Sequence, residues 1–256
     1  GVQTCALPIC KEQSPAQVAI LNPIASEVWM QFTGDNANAT AWEDAKFTYE
    51  ALTQSFVPVD PIDQRMVLAR DLKQYKVIYL PAPNIERRVA EKLLTWVQSG
   101  GTLVLHAGSM VNDEANQPLT DLYPNLGLCE RRSVEFWKKI QPYIGGALPT
   151  LTTNNHAILA PVPDTAVVQA IGADASSGGA SAPIVGREVL SPVDGAQVLA
   201  SYADGGVAAL QHKLGAGHVV TLGVYAGLES VAPQFDGDFN MQRDIVKLWQ
   251  IGRAHV

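Results

Sequence analysis

Two short apolar runs, Val77-Ile78-Tyr79-Leu80 and Thr102-Leu103-Val104-Leu105, stand one helix apart, and this narrows the fold more than anything else in the chain. Between them Val89, Leu93, Trp96 and Val97 recur at helical spacing. Gly100-Gly101 ends the pattern, because glycine enters the left-handed conformation without steric penalty. Strand, helix and strand at this spacing pair in parallel through a right-handed crossover. Upstream, Val18-Ala19-Ile20-Leu21 is a further buried strand, stopped by a turn at Asn22-Pro23. Thr40-Ala41-Trp42-Glu43 matches a capping box, so a helix is expected from Thr40 to about Ser55. Phe47, Ala51 and Ser55 would share one side with Leu52 and Phe56 nearby, making one face largely apolar, with Asp44, Lys46 and Glu50 nearer water.

The second half reads differently. Val185 to Val189, Gln197 to Tyr202, Val207 to His212 and His218 to Val224 are short β-rich segments. Asp194-Gly195, Asp204-Gly205 and Gly215-Ala216-Gly217 punctuate them, which predicts antiparallel hairpins extending the same sheet at one edge. Ala173 to Ala182 is expected to be a flexible surface loop, and Asp238 to Gln250 a closing helix packed through Met241, Ile245, Leu248 and Trp249. The predicted class is therefore α/β: a flavodoxin-like, open, mostly parallel sheet with helices on both faces and antiparallel hairpins added at one edge.

The ends are set aside. Thr4-Cys5-Ala6-Leu7-Pro8-Ile9 and Ile251-Gly252-Arg253-Ala254-His255-Val256 resemble one sequencing-adapter sequence translated from opposite strands. Residues 1–10 and 251–256 are excluded from fold reasoning, and the natural protein is expected to extend beyond both. What remains, residues 11–250, reads as a single domain, with a parallel core over 11–140 and a β-rich extension with its closing helix over 141–250. Cys5 and Cys10 fall in or beside the excluded run. Cys129 alone supports no disulfide framework, and is expected to be a small buried apolar residue.

Net charge and hydropathy exclude several functions. A formal charge of −7 offers no basic face to a nucleic acid, and no apolar stretch nears the roughly 20 residues of a membrane span. No cofactor is implied.

The residues also carry a family resemblance. Lys76 to Pro81, Trp96-Val97-Gln98-Ser99-Gly100-Gly101-Thr102-Leu103-Val104, Asp113-Glu114 and Pro118-Leu119-Thr120-Asp121-Leu122 follow one another as in the glutamine-amidotransferase-like domain that serves family 42 β-galactosidases as a trimerisation domain. Ala203 to Ala209 and Leu214 to Gly223 resemble the closing hairpin of that domain. The resemblance implies a domain that joins subunits and accompanies a catalytic barrel.

Ligands of open α/β sheets bind beyond the carboxyl ends of the strands, an edge that here includes His106, Ser109, Asp113 and Glu114. An active class I amidotransferase would carry a nucleophilic Cys on the turn after the strand, with a His and Glu pair later. This chain has His106-Ala107-Gly108-Ser109-Met110, and no Glu near His218 completes the pattern. Ser109 as a serine nucleophile lacks the elbow glycines, since positions 107 and 111 are Ala and Val. The bland reading of Ser109 is a hydroxyl that caps a turn. Asp113 and Glu114 could act as an acid/base or ligand-binding pair, though adjacent loop carboxylates more often cap helices.

The histidines His106, His156, His212 and His218 show no metal-ligand spacing. Trp29, Trp42 and Trp137 could stack on a sugar or fill core and interface space. Two functions follow. The first is a non-catalytic accessory and oligomerisation domain of a carbohydrate-active enzyme, whose partners are an upstream catalytic barrel and further subunits. The alternative is a free-standing amidotransferase-superfamily hydrolase with a nucleophile other than Cys.

Overall fold

A computed structural model describes residues 15–33, 36–132, 134–136, 168–170, 186–202 and 204–228. The expected surface loop from Ala173 to Ala182 and the closing helix from Asp238 lie outside them, as do Trp137 and His156.

The elements run β1 (Val18–Asn22), α1 (Ile24–Thr33), α2 (Asn36–Gln54), β2 (Val59–Asp63), α3 (Gln64–Ala69), β3 (Val77–Leu80), α4 (Arg87–Gln98) and β4 (Thr102–Leu105). A 3-10 turn (Thr120–Leu126) leads to β5 (Leu128–Glu130), β6 (Glu135–Phe136), β7 (Val168–Ala170), β8 (Gly186–Arg187) and β9 (Ser191–Pro192). The last three described strands are β10 (Gln197–Tyr202), β11 (Val207–Leu214) and β12 (Gly217–Leu222).

Eight strands form one sheet in the order β2-β1-β3-β4-β12-β11-β10-β7. The pairs from β2 through β12 are parallel, and β11, β10 and β7 continue antiparallel at one edge. This is the expected open α/β sheet with its hairpins. The other edge is β2, where Pro61 sits without breaking a ladder, since an edge strand needs only one row of amides.

Successive side chains of a strand face opposite layers, and two cores result. Ala19, Leu21, Ile78, Leu80, Leu103 and Leu105 point to the layer of α3 and α4. Ile20, Val77, Tyr79, Val104, Val220 and Leu222 point to the layer of α2, against Ala45 and Leu52. Helix α4 buries Val89, Ala90, Leu93, Leu94, Trp96 and Val97, each larger side chain contributing about 1.5–3 kcal/mol of transfer free energy. Gly100 stands at φ 119° as the helix stops. Gly101 is needed for space, because a Cβ there would lie 2.3 Å from the Trp96 ring.

Four local expectations are corrected. Helix α1 forms directly after Pro23, where only a turn was expected. Helix α2 begins at Asn36, so Thr40 is an interior, buried residue and not an N-cap. Its buried face is Thr40, Ala41, Asp44 and Thr48, which places Asp44 at 0% exposure while Phe56 stands at 93%. Cys129 is exposed on β5, its thiol donating to the Pro192 carbonyl at 3.3 Å.

Candidate functional site

The carboxyl ends of β3, β4 and β12 converge on the turn from His106 to Met110. His106 continues the alternation of β4, so its ring points into the α2 layer, where Asp44 waits one helix away. Nδ1 of His106 lies 2.5 Å from Oδ2 of Asp44, with both side chains fully buried. The contact joins the imidazole to the carboxyl group through one short hydrogen bond. The other Asp44 oxygen accepts from the amides of Gly227 at 2.7 Å and Leu228 at 3.0 Å. Burying a carboxylate costs several kcal/mol unless it is hydrogen-bonded, and these three contacts engage both of its oxygens. Gly227 permits the approach, since a Cβ there would lie 2.1 Å from the Asp44 carbonyl oxygen.

Tyr79, next to β4 on the same face, meets the His106 ring edge-on at 6.1 Å between centroids. Desolvation pushes its hydroxyl pKa up to about 12. Nε2 of His106 is buried and has no hydrogen-bond partner among the described residues.

The turn itself is closed. The His106 amide donates to Ser109 Oγ at 3.2 Å, and the Ser109 amide donates back to the His106 carbonyl at 3.0 Å. The Ala107 amide donates to Val224 and the Met110 amide to Ala82, at 3.1 and 2.9 Å. The Gly108 amide donates to Glu188 Oε2 at 2.8 Å. Glu188 is also gripped by Arg131, whose Nε and Nη2 reach its two oxygens at 2.7 and 2.6 Å. Arg131 Nη1 donates to the Ser109 carbonyl. Burial opposes the Arg131 charge, but the Glu188 carboxylate outweighs it and holds the guanidinium above its ordinary pKa. Both side chains are sealed, at 2% and 0% exposure.

Of the residues anticipated at this edge, His106 and Ser109 are brought together, through the strand's backbone and not through the imidazole. Ser109 is fully buried and caps its own turn. Asp113 Oδ1 accepts from the amides of Ala115 and Gln117, bracing its loop. Glu114 Oε2 accepts from the Arg87 amide at 2.8 Å, at the start of α4. Trp29 Nε1 donates to the Glu114 carbonyl. Trp42 is 44% exposed and borders a small cleft with Asn22, Glu27, Met30, Pro81 and Ala82. This cleft lies where β1 and β3 part to opposite sides of the chain's path, the topological switch point at which open α/β sheets hold ligands.

Asp44, Arg131 and Glu188 were not anticipated. Glu188 left a faint trace: it is a carboxylate in the short β-rich segment Val185 to Val189, where a strand could bury it. Asp44 had a weaker one, its spacing of four from Thr40 and Thr48 along α2.

Among the described residues no helix is long and apolar enough to cross a membrane, and no three His, Cys, Asp or Glu side chains group as a metal site would require.

A family model described as the β-galactosidase trimerisation domain matches residues 16–239. No curated protein matches the chain. Several solved structures share the fold. The β-galactosidase from Rahnella sp. R3 is 20% identical with a TM-score of 0.58, covering 87% of this chain and 32% of its own. The β-galactosidase from Bacillus circulans sp. alkalophilus is 18% identical with a TM-score of 0.58, covering 88% of this chain and 31% of its own. The exo-β-1,4-mannosidase Op5Man5 from Opitutaceae bacterium strain TAV5 is 13% identical with a TM-score of 0.57, covering 92% and 35%. The chain thus spans about a third of the length of these enzymes.

Proposed function

This chain belongs to the β-galactosidase trimerisation domain family, and we propose that it works as a non-catalytic accessory and oligomerisation domain within a longer carbohydrate-active enzyme. Its partners are copies of itself and a catalytic barrel preceding it in the parent chain. The observation that carries the reading is the closed turn after β4. A nucleophile there would need a reachable hydroxyl or thiol and free amides to receive an oxyanion. Ser109 is buried, and the amides from His106 to Met110 are all taken, that of Gly108 by the internal carboxylate of Glu188. The site is built as a plug.

One observation favours a second reading, a free-standing hydrolase: the buried Asp44–His106 pair is the arrangement that orients a general base, and its Nε2 lacks a partner among the described residues. Ser109 Oγ is directed at the His106 amide instead of that nitrogen. Carbohydrate contact, if the parent enzyme uses this domain for it, falls to Trp42 beside its cleft.

Light scattering on the purified chain tests the assembly reading. Self-association, or binding to the barrel of a family 42 β-galactosidase, is the expected result. A strict monomer that binds neither would overturn it.

A further inference from the structure

Glu188 and the turn after β4 fit each other as a ligand fits its site. Oε1 of Glu188 accepts from Arg131 Nε at 2.7 Å, and Oε2 accepts from Arg131 Nη2 at 2.6 Å and from the Gly108 amide at 2.8 Å. Two parallel guanidinium bonds with an inward amide form a donor set matched to a carboxylate.

The donors do not owe their positions to Glu188. Arg131 Nη1 donates to the Ser109 carbonyl, which holds the guanidinium plane from its other side. Gly108 stands at φ 71°, between an Ala107 amide bonded to Val224 at 3.1 Å and a Ser109 amide bonded to His106 at 3.0 Å. The turn itself therefore aims the Gly108 amide.

The Glu188 backbone is equally independent of its carboxylate. Its amide donates to the Gly223 carbonyl at 2.7 Å, and its carbonyl accepts from the Tyr202 hydroxyl at 3.3 Å. Two residues on, the Leu190 amide donates to Val207 at 3.0 Å. Shortening the side chain thus empties the site without moving its walls. Glu188→Ala deletes Cγ, Cδ and both oxygens, the heavy atoms of one acetate ion. With Glu188 at 0% exposure and the Arg131 side chain at 2%, little water reaches the guanidinium to compete with an entering anion.

We propose that the turn from His106 to Met110, together with Arg131, is a binding site for a small monocarboxylate, and that Glu188 is its built-in ligand. Covalent attachment spares Glu188 the entropy cost of capture, so free acids do not displace it from the intact chain. The inference concerns the interior of one chain and does not depend on whether copies associate.

Acetate is the probe. Thermal unfolding of the intact chain, of Glu188→Ala and of the double variant Glu188→Ala with Arg131→Met is followed from zero to about 100 mM sodium acetate, with sodium chloride and acetamide as matched controls. The Glu188→Ala midpoint should start below that of the intact chain and rise by about 3 °C or more with acetate alone. Neither the intact chain nor the double variant should show an acetate-specific rise. Where Glu188→Ala does not fold, it is refolded from urea with and without acetate, and recovery that requires acetate is the expected outcome. The assignment fails if acetate, chloride and acetamide act alike, if acetate raises the intact chain or the double variant as much as Glu188→Ala, or if acetate restores no folding.

Discussion

Asp44 and His106, 62 positions apart in sequence, meet at 2.5 Å with neither side chain open to solvent. The contact ties α2 to the end of the central strand β4, and the other carboxylate oxygen extends the tie to Gly227 and Leu228. Asp44→Ala therefore strands a buried histidine and two buried amides. A loss of about 3–5 kcal/mol in unfolding free energy is expected by denaturant titration. A loss no larger than that of an exposed replacement such as Glu50→Ala would contradict the assignment.

Tyr79 predicts the alkaline limit of the fold. Its hydroxyl pKa is raised from 10.0 to about 12 in the folded chain by burial, so the native state holds that proton more tightly than the unfolded one. The contribution is complete below pH 10 and is lost as pH climbs through about 12. Tyr79→Phe keeps the ring against His106 and removes the titration. Between those two values its stability should decline less steeply than that of the unmodified chain, and parallel declines would refute the prediction.

Glu188 serves two masters, the Arg131 guanidinium and the Gly108 amide. Replacing it with Ala leaves a buried cation unpaired and should reduce stability by about 3–5 kcal/mol. Glu188→Gln retains an oxygen for Gly108 and should lose less. Equal midpoints for the two variants in urea would mean that the amide contact contributes nothing.

Ser109→Ala separates the plug from a concealed enzyme. The His106 amide loses its acceptor inside the protein, which is expected to lower stability by about 1–3 kcal/mol. No ester or glutamine hydrolysis is expected of either protein. Turnover by the unmodified chain that disappears in the variant would remove the scaffold reading.

The parallel core was legible because its signals are local. Val77 to Leu80 and Thr102 to Leu105 are unbroken apolar runs with a Gly-Gly stop between them, and both strands fall there. The strand Gln197–Tyr202 was equally plain, bounded by Asp-Gly turns. Helix α1 was hidden by Pro23, which reads as a stop although proline fits just before a helix as well as in a turn. The buried charges were hidden for a different reason. A carboxylate looks like surface until its partners are known, and those of Asp44 and Glu188 lie 62 to 184 and 57 to 80 positions away. No window along the chain contains both halves of either pair.

The sheet order has a consequence for biosynthesis. Strand β12, which closes the gap between β4 and β11, is made after every other strand described in the sheet, and Leu228, which completes the cradle of Asp44, follows it. A nascent chain that has emerged only through β11 exposes the whole hydrogen-bonding rim of β4. The ribosome must therefore release nearly the entire domain before its middle can zip shut, and until then that rim is open to any passing strand.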